Sequence, residues 1–335
     1  MKTKEKKPKR VKFNEEHLHR PKPQMTWRNI WLQRELIIMS VPLLLYMIFF
    51  RYVPITGWAM AFQNYKPAIR NVWDQEWVGF ANFQNLLNMN TLYGQTFLRS
   101  VRNTFGQSIL SMVLGFVCAI GLSLLLNEVR SVGFKRIIQN LSYMPHFLSW
   151  IIATGMIATA LSLPQSGGFI NIVLHDWLGI LKEPIAFLNH PKYFWGIVAG
   201  GQLWKSLGWN TIIYLAAMTA IDPQLYEAAE IDGANRWRKM WHITLPSIKA
   251  TIVILLIMST GYMLESGFEI QYFLGAGVNK EVAENIDIFI LRYGIQLRAQ
   301  FHLGTVAGIM KTIVAIFFVA SANWLAKILG SERLV

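Results

Sequence analysis

Ile221-Asp-Pro-Gln-Leu-Tyr-Glu-Ala-Ala-Glu-Ile-Asp-Gly-Ala-Asn-Arg-Trp-Arg-Lys-Met-Trp-His-Ile-Thr-Leu-Pro246 is a polar, basic, helix-prone stretch set between two long apolar runs. Local rules are enough to build it. Asp222 suits an N-cap, and Pro223 fits the first helical position, where its missing N–H costs nothing. Tyr226 to Ile231 then make about two turns, and Gly233 supplies the left-handed residue that ends them. Asn235 caps a second short helix, which leads through Pro246 into the next apolar run. The expected product is a stubby helix parallel to the membrane plane, with Ala228 and Ala229 exposed together on one face.

The membrane enters through composition. Of 335 residues, 53% are hydrophobic and 15% charged, and mean hydropathy is +0.32. A soluble domain carries about 25% charged residues. Six runs reach the roughly 20 apolar residues that a bilayer demands; they fall near 36–62, 102–127, 137–161, 193–220, 247–270 and 304–329. Pro42 and Pro54 interrupt the first, while Gly155 and Gly261 mark places in the third and fifth for close approach or bending. The quoted stretch is the connection between the fourth and fifth runs.

The net charge of +13 is unevenly placed: residues 1–34 hold 11 of the 32 Lys and Arg against three acidic residues. A basic flank ahead of a spanning segment marks the cytoplasmic side, so this charge is a topology signal and lipid tether, and no nucleic-acid partner is expected. The arm is too long for a signal peptide, and no small-residue cleavage site follows the apolar run. Trp27, Ile30, Trp31 and Arg34 share one helical face, which predicts a short interfacial helix. An even number of spans returns the C-terminus to the same side. The chain thus divides into a basic arm, 1–34, and a membrane domain, 35–335. Cys118 is the single cysteine and lies in an apolar run.

Glu227-Ala-Ala229, Gly233-Ala234 and Leu245-Pro246 match, in register, the EAA loop of permease subunits of ABC importers, and on these residues the chain resembles that family. Arg51-Tyr-Val-Pro54, Ala61-Phe-Gln-Asn-Tyr-Lys-Pro67, Trp77-Val-Gly-Phe-Ala-Asn-Phe83, Tyr143-Met-Pro-His-Phe147, Trp204-Lys-Ser-Leu-Gly-Trp209 and Ile213-Tyr-Leu-Ala-Ala217 resemble one carbohydrate branch of it, which serves complex oligosaccharides, alginate-type and pectin-type oligomers included, and is similar to the malto-oligosaccharide permeases. The resemblance implies an all-α, type I importer permease (MetI-like) fold of six transmembrane helices with a cytoplasmic coupling helix. It implies a bacterial plasma-membrane location with both termini cytoplasmic. It also implies partners: a second, homologous permease, two copies of a cytoplasmic ATPase that bind ATP and Mg, and an extracellular or periplasmic sugar-binding protein. No cofactor is expected in this chain. Coupling to the ATPase would fall on Glu227, Ala228, Ala229, Asp232, Gly233 and Ala234.

Sugars present apolar C–H faces ringed by hydroxyls, so their pathways need flat aromatics beside hydrogen-bonding groups. Candidates in the spans are Tyr143, His146, Trp150, Trp204, Trp209, Asn210, Tyr214 and Tyr262. Charges within spans are costly to expose to lipid, which singles out Lys205, Glu265, Glu269 and Lys311. Spacing of four puts His146 with Trp150, and Glu265 with Glu269, on shared helical faces. Depth pairs Lys311 with Glu265 in the outer half and leaves deeper Lys205 for the cavity or a subunit interface. No G-x-x-x-x-G-K-[ST], H-E-x-x-H or G-x-S-x-G occurs, which argues against an enzyme acting alone. An amino-acid or peptide importer and a proton-coupled carrier remain as alternatives.

Overall fold

The computed structural model describes residues 27–69, 71–265, 267–296 and 300–328. Among the described residues there is no strand, only an isolated bridge between Gln63 and Trp77. The chain divides into two compact units, 1–56 and 57–335. Most of the basic arm, residues 1–26, lies outside the described residues.

In the first unit, helix α1 (Trp27–Leu32) occupies the place expected for an interfacial helix. Helix α2 (Arg34–Met47) runs through Pro42 and widens into a π turn over Ile48–Tyr52. From Val53 the chain tightens to a 3₁₀ helix that ends at Phe62. The first expected span is thus a continuous helical stretch, but only its first half is α. Pro54 lacks the N–H that an α ladder would use there.

The second unit begins by fastening that 3₁₀ end. Asn82 is buried and donates to the carbonyls of Ala61 (3.0 Å) and Gln63 (2.9 Å), from the first turn of α3 (Ala81–Leu87). The Asn of the Val78-Gly-x-x-Asn82-Phe83 element is therefore a clamp on residues 61–63. Helix α4 (Leu92–Glu128) starts at Thr91, whose Oγ1 accepts from the N–H of Gly94. Its 37 residues span roughly 55 Å against the ~30 Å of a bilayer core. The expected span 102–127 is only its C-terminal part. The region around its start fastens the connection ahead of residue 301: Asn103 Nδ2 donates to the carbonyls of Glu281 and Glu284, and Arg99 pairs with both carboxylates.

The third expected span is not one helix. Helices α5 (Val132–Tyr143) and α6 (Trp150–Ala160) meet at 108°. Pro145 sits in the 3₁₀ turn Met144–Phe147 between them, and Ser149 Oγ restarts the helix by accepting from the N–H of Ile152. Gly155 lies inside α6 without a bend, and a Cβ added there would meet nothing within 4 Å, whereas at Gly261 a Cβ would come 2.9 Å from Val319.

Helix α7 (Pro191–Thr219) fills the fourth position with 29 residues. Helix α8 (Pro223–Ile231) and helix α9 (Arg236–Lys239) form the connection that follows α7. Helix α10 (Lys249–Tyr262), helix α11 (Phe268–Leu274) and helix α12 (Phe301–Ile328) complete the unit. Among the described residues, four helical stretches are long and apolar enough to cross a bilayer, or five if the bent pair counts as one. Helix α7 falls outside that set; it has the length, but Gln202, Lys205, Ser206 and Asn210 break its apolarity.

Packing gathers at three places. Phe97 of α4, Phe289 of the connection between α11 and α12, and Val306 of α12 share one cluster. Phe194 of α7 joins Ile270 and Leu274 of α11, and Ala119 of α4 joins Tyr214 and Met218 of α7 with Ile248. Lipid tails are as apolar as these side chains, so close fit rather than water exclusion holds such contacts inside a bilayer. Gly208 serves that fit, since a Cβ there would lie 2.3 Å from the carbonyl oxygen of Ser142.

Candidate functional site

The connection between α7 and α10 folds as local rules require. Asp222 Oδ1 accepts from the N–H of Gln224 at 2.9 Å, and Pro223 opens α8. Gly233 has φ +73°, and the N–H of Ala234 donates back to the carbonyl of Ala229 at 2.8 Å. Asn235 Oδ1 then caps α9 through the N–H of Arg238. Two contacts brace the pair from the side: Tyr226 Oη against Thr244 Oγ1 at 2.9 Å, and Lys239 with Glu230 at 3.3 Å.

Glu227, Ala228, Asp232 and Gly233 are exposed, and Ile231 is 88% exposed. Glu227 makes no ion pair among the described residues. Ala229 departs from expectation. It is half-buried and, with Ala234, lines a 290 Å³ crevice shared with Arg238 and His242. The chain folds back over Ala229 to reach Ala234, so only Ala228 of the two faces outward.

Residues of α4, α7 and α10, with Met263 and Glu265, line a half-open cavity of 490 Å³. Asn210, Tyr214, Tyr262 and Glu265, expected on the pathway, all line it. Sequence reasoning missed Ser108 and Ser111 on α4, Gln202 and Ser206 on α7 and Ser259 on α10, which line it too. Their signal was present: Gln202, Ser206 and Asn210 recur at intervals of four and stack on one helical face. Ser108 Oγ is buried with no hydrogen-bond partner among the described residues.

The remaining candidates lie elsewhere. His146 stacks on Trp209 with ring centres 4.6 Å apart. Lys205 Nζ donates to the His146 carbonyl at 2.7 Å and sits 5.2 Å over the Trp150 ring. Lys205 is therefore a brace across the α5–α6 bend rather than a group facing the cavity. Tyr143 belongs to the same bend, beside Gly208. Trp204 is on α7 but does not line the cavity. His146 and Trp150 do not share a helical face, because the helix breaks between them. Glu265 and Glu269 are also separated. Gly267 has φ +85° and starts α11, so the spacing of four has no single helix to act on.

Lys311 does not pair with Glu265. Its Nζ reaches Asp287 Oδ1 at 2.6 Å. Asp287 comes from a turn of the connection between α11 and α12 that folds against α12, which a comparison of depths between spans cannot see. Glu265 lines a second crevice, 410 Å³, together with Asp287 and Lys311. A further buried carboxylate went unpredicted: Glu284 is 2% exposed and held by Arg292 at 2.6 Å and Arg99 at 3.3 Å.

Residues 111–333 match the profile of the binding-protein-dependent transport system inner membrane component family. The chain belongs to this family. A polygalacturonan/rhamnogalacturonan transport system permease protein, YteP, of Bacillus subtilis is 42% identical over 300 residues, covering 90% of each chain. The arabinooligosaccharides transport system permease protein AraP of Halalkalibacterium halodurans is 27% identical over 292 residues, 86% of this chain and 85% of its own. Among solved structures, a chain of a bacterial ABC transporter involved in import of the acidic polysaccharide alginate superposes with a TM-score of 0.80 at 36% identity. It covers 90% of this chain and 98% of the other. A chain from the alginate transporter in complex with its pentasaccharide-bound periplasmic protein gives 0.81 at 35% identity, covering 93% and 100%. This binding-protein-dependent permease is a multi-pass membrane transport subunit rather than an enzyme, and its helical fold is that of ABC importer permeases.

Proposed function

We propose that this permease is one of two homologous membrane subunits of an ATP-driven importer, and that it passes an oligosaccharide handed over by a binding protein outside the membrane. Two copies of a cytoplasmic ATPase bind ATP and Mg beneath it, and α8 carries their motion into the spans. Both termini then face the cytoplasm. The observation that carries the reading is α8 itself, a doubly capped, side-braced helix with Ala228 and Glu227 presented outward. It sits in a chain that matches an alginate importer permease over 90% of its length. Small exposed residues allow deep seating in a groove of another subunit, and Glu227 is free to meet a basic group there. The carbohydrate names of YteP and AraP, and the hydroxyl- and amide-lined cavity, support a sugar as cargo.

The test is ATP hydrolysis by the assembled transporter with loaded binding protein. Ala228→Trp should abolish stimulation by filling the contact, and Glu227→Lys should reduce it at least fivefold. Unchanged stimulation in both variants refutes the role of α8.

A further inference from the structure

We propose that this permease's half of the pathway selects neutral sugar units and disfavours free uronates; the inference rests on the oligosaccharide reading above. The cavity between α4, α7 and α10 offers Ser108, Ser111, Gln202, Ser206 and Asn210, groups that exchange hydrogen bonds with hydroxyls. Ser108 Oγ, buried and without a partner among the described residues, lies beside these groups. The one charged side chain among the described residues lining the cavity is Glu265, an acid.

A sugar carboxylate entering this space meets a like charge, and a buried anion needs a cation or several donors to offset its lost hydration. The two nearby lysines are committed. Lys205 is 9% exposed, its Nζ held by the His146 carbonyl and covered by Trp150. Lys311 is neutralised by Asp287 in the adjoining crevice, which Glu265 also lines. Lys311, Asp287 and Glu265 together leave one net negative charge on that wall. The cargo implied is neutral at the units that pass Glu265, either uncharged or esterified.

The experiment uses the complete transporter in proteoliposomes with its binding protein. It compares uptake of oligogalacturonides of one length as free acids and as methyl esters, which share a backbone and differ in charge. At equal occupancy of the binding protein, ester uptake should exceed acid uptake at least tenfold. Glu265→Gln should narrow that ratio at least threefold, and Glu265→Lys should narrow it further. Because each variant is scored by a ratio, the contribution of the binding protein cancels. A wild-type ratio near one overturns the inference and leaves oligosaccharide import standing. So does a ratio untouched in variants that still transport the ester. Absence of ATP-dependent uptake of any oligosaccharide defeats the broader reading, and this inference with it.

Discussion

Reversing the charges at positions 287 and 311 separates the observed ion pair from the one that span depth alone suggests. The Asp287 and Lys311 side chains are 25% and 14% exposed and meet at 2.6 Å. At an effective dielectric of ~20, Coulomb attraction at that distance is on the order of 6 kcal/mol. Desolvation of both groups and the ordering of a long lysine remove most of it, leaving a net coupling of about 2 kcal/mol. Asp287→Lys and Lys311→Asp should each destabilise by more than this, since each puts two like charges together. At roughly 2–3 °C per kcal/mol for a chain of this size, each single variant should melt some 5–8 °C lower. The double exchange should recover more than half of that loss. The assay is thermal unfolding of the purified complex in detergent, read by loss of the monodisperse peak after heating. If Glu265→Lys with Lys311→Glu recovers stability and the 287/311 exchange does not, the pairing described above is wrong.

Four further outcomes follow from the geometry. Gly233→Val forces a β-branched side chain into φ +73°, costing about 1–2 kcal/mol; binding-protein-stimulated ATP hydrolysis should fall severalfold, with Gly233→Asn retaining most of it. Glu284→Ala leaves Arg99 and Arg292 without their shared acid, a loss of about 3 kcal/mol; differential scanning of the complex should show a drop near 8 °C. At Gly208 an added side chain meets the Ser142 carbonyl, so Gly208→Leu should prevent recovery of an assembled transporter. Gly155→Ala, open on every side, should change the melting temperature by no more than a degree or two.

What could be read in advance was whatever depends on near neighbours in the chain. The caps of α8 and α9, the left-handed Gly233 and the first-turn Pro223 are chemistry between residues two to five apart, and each is found where expected. Asn210 and Tyr262, named from sequence as hydrogen-bonding and aromatic groups within spans, both line the cavity. The bend between α5 and α6 was not read, although Pro145 announced it, because hydropathy averages across a break as easily as through a helix. The partner of Lys311 was hidden for a different reason: Asp287 lies 24 residues upstream in a connection, and only the fold shows which span that connection covers. Serines 108, 111 and 206 passed as ordinary small residues of membrane helices. Ser206 could have been noticed from its spacing with Gln202 and Asn210.

Between the last residue of α7 and the first of α8 stand only Ala220, Ile221 and Asp222. That joint is itself tied down, the N–H groups of Ala220 and Ile221 donating to the carbonyls of Ala217 and Met218. Asn210 lies roughly 14 Å from the end of α7 along a single unbroken rod. On the proposed coupling role of α8, a push there has almost no slack to absorb it before it tilts the rod, and with it the row of amide and hydroxyl groups lining the cavity. Transmission and cavity wall would then be one mechanical part.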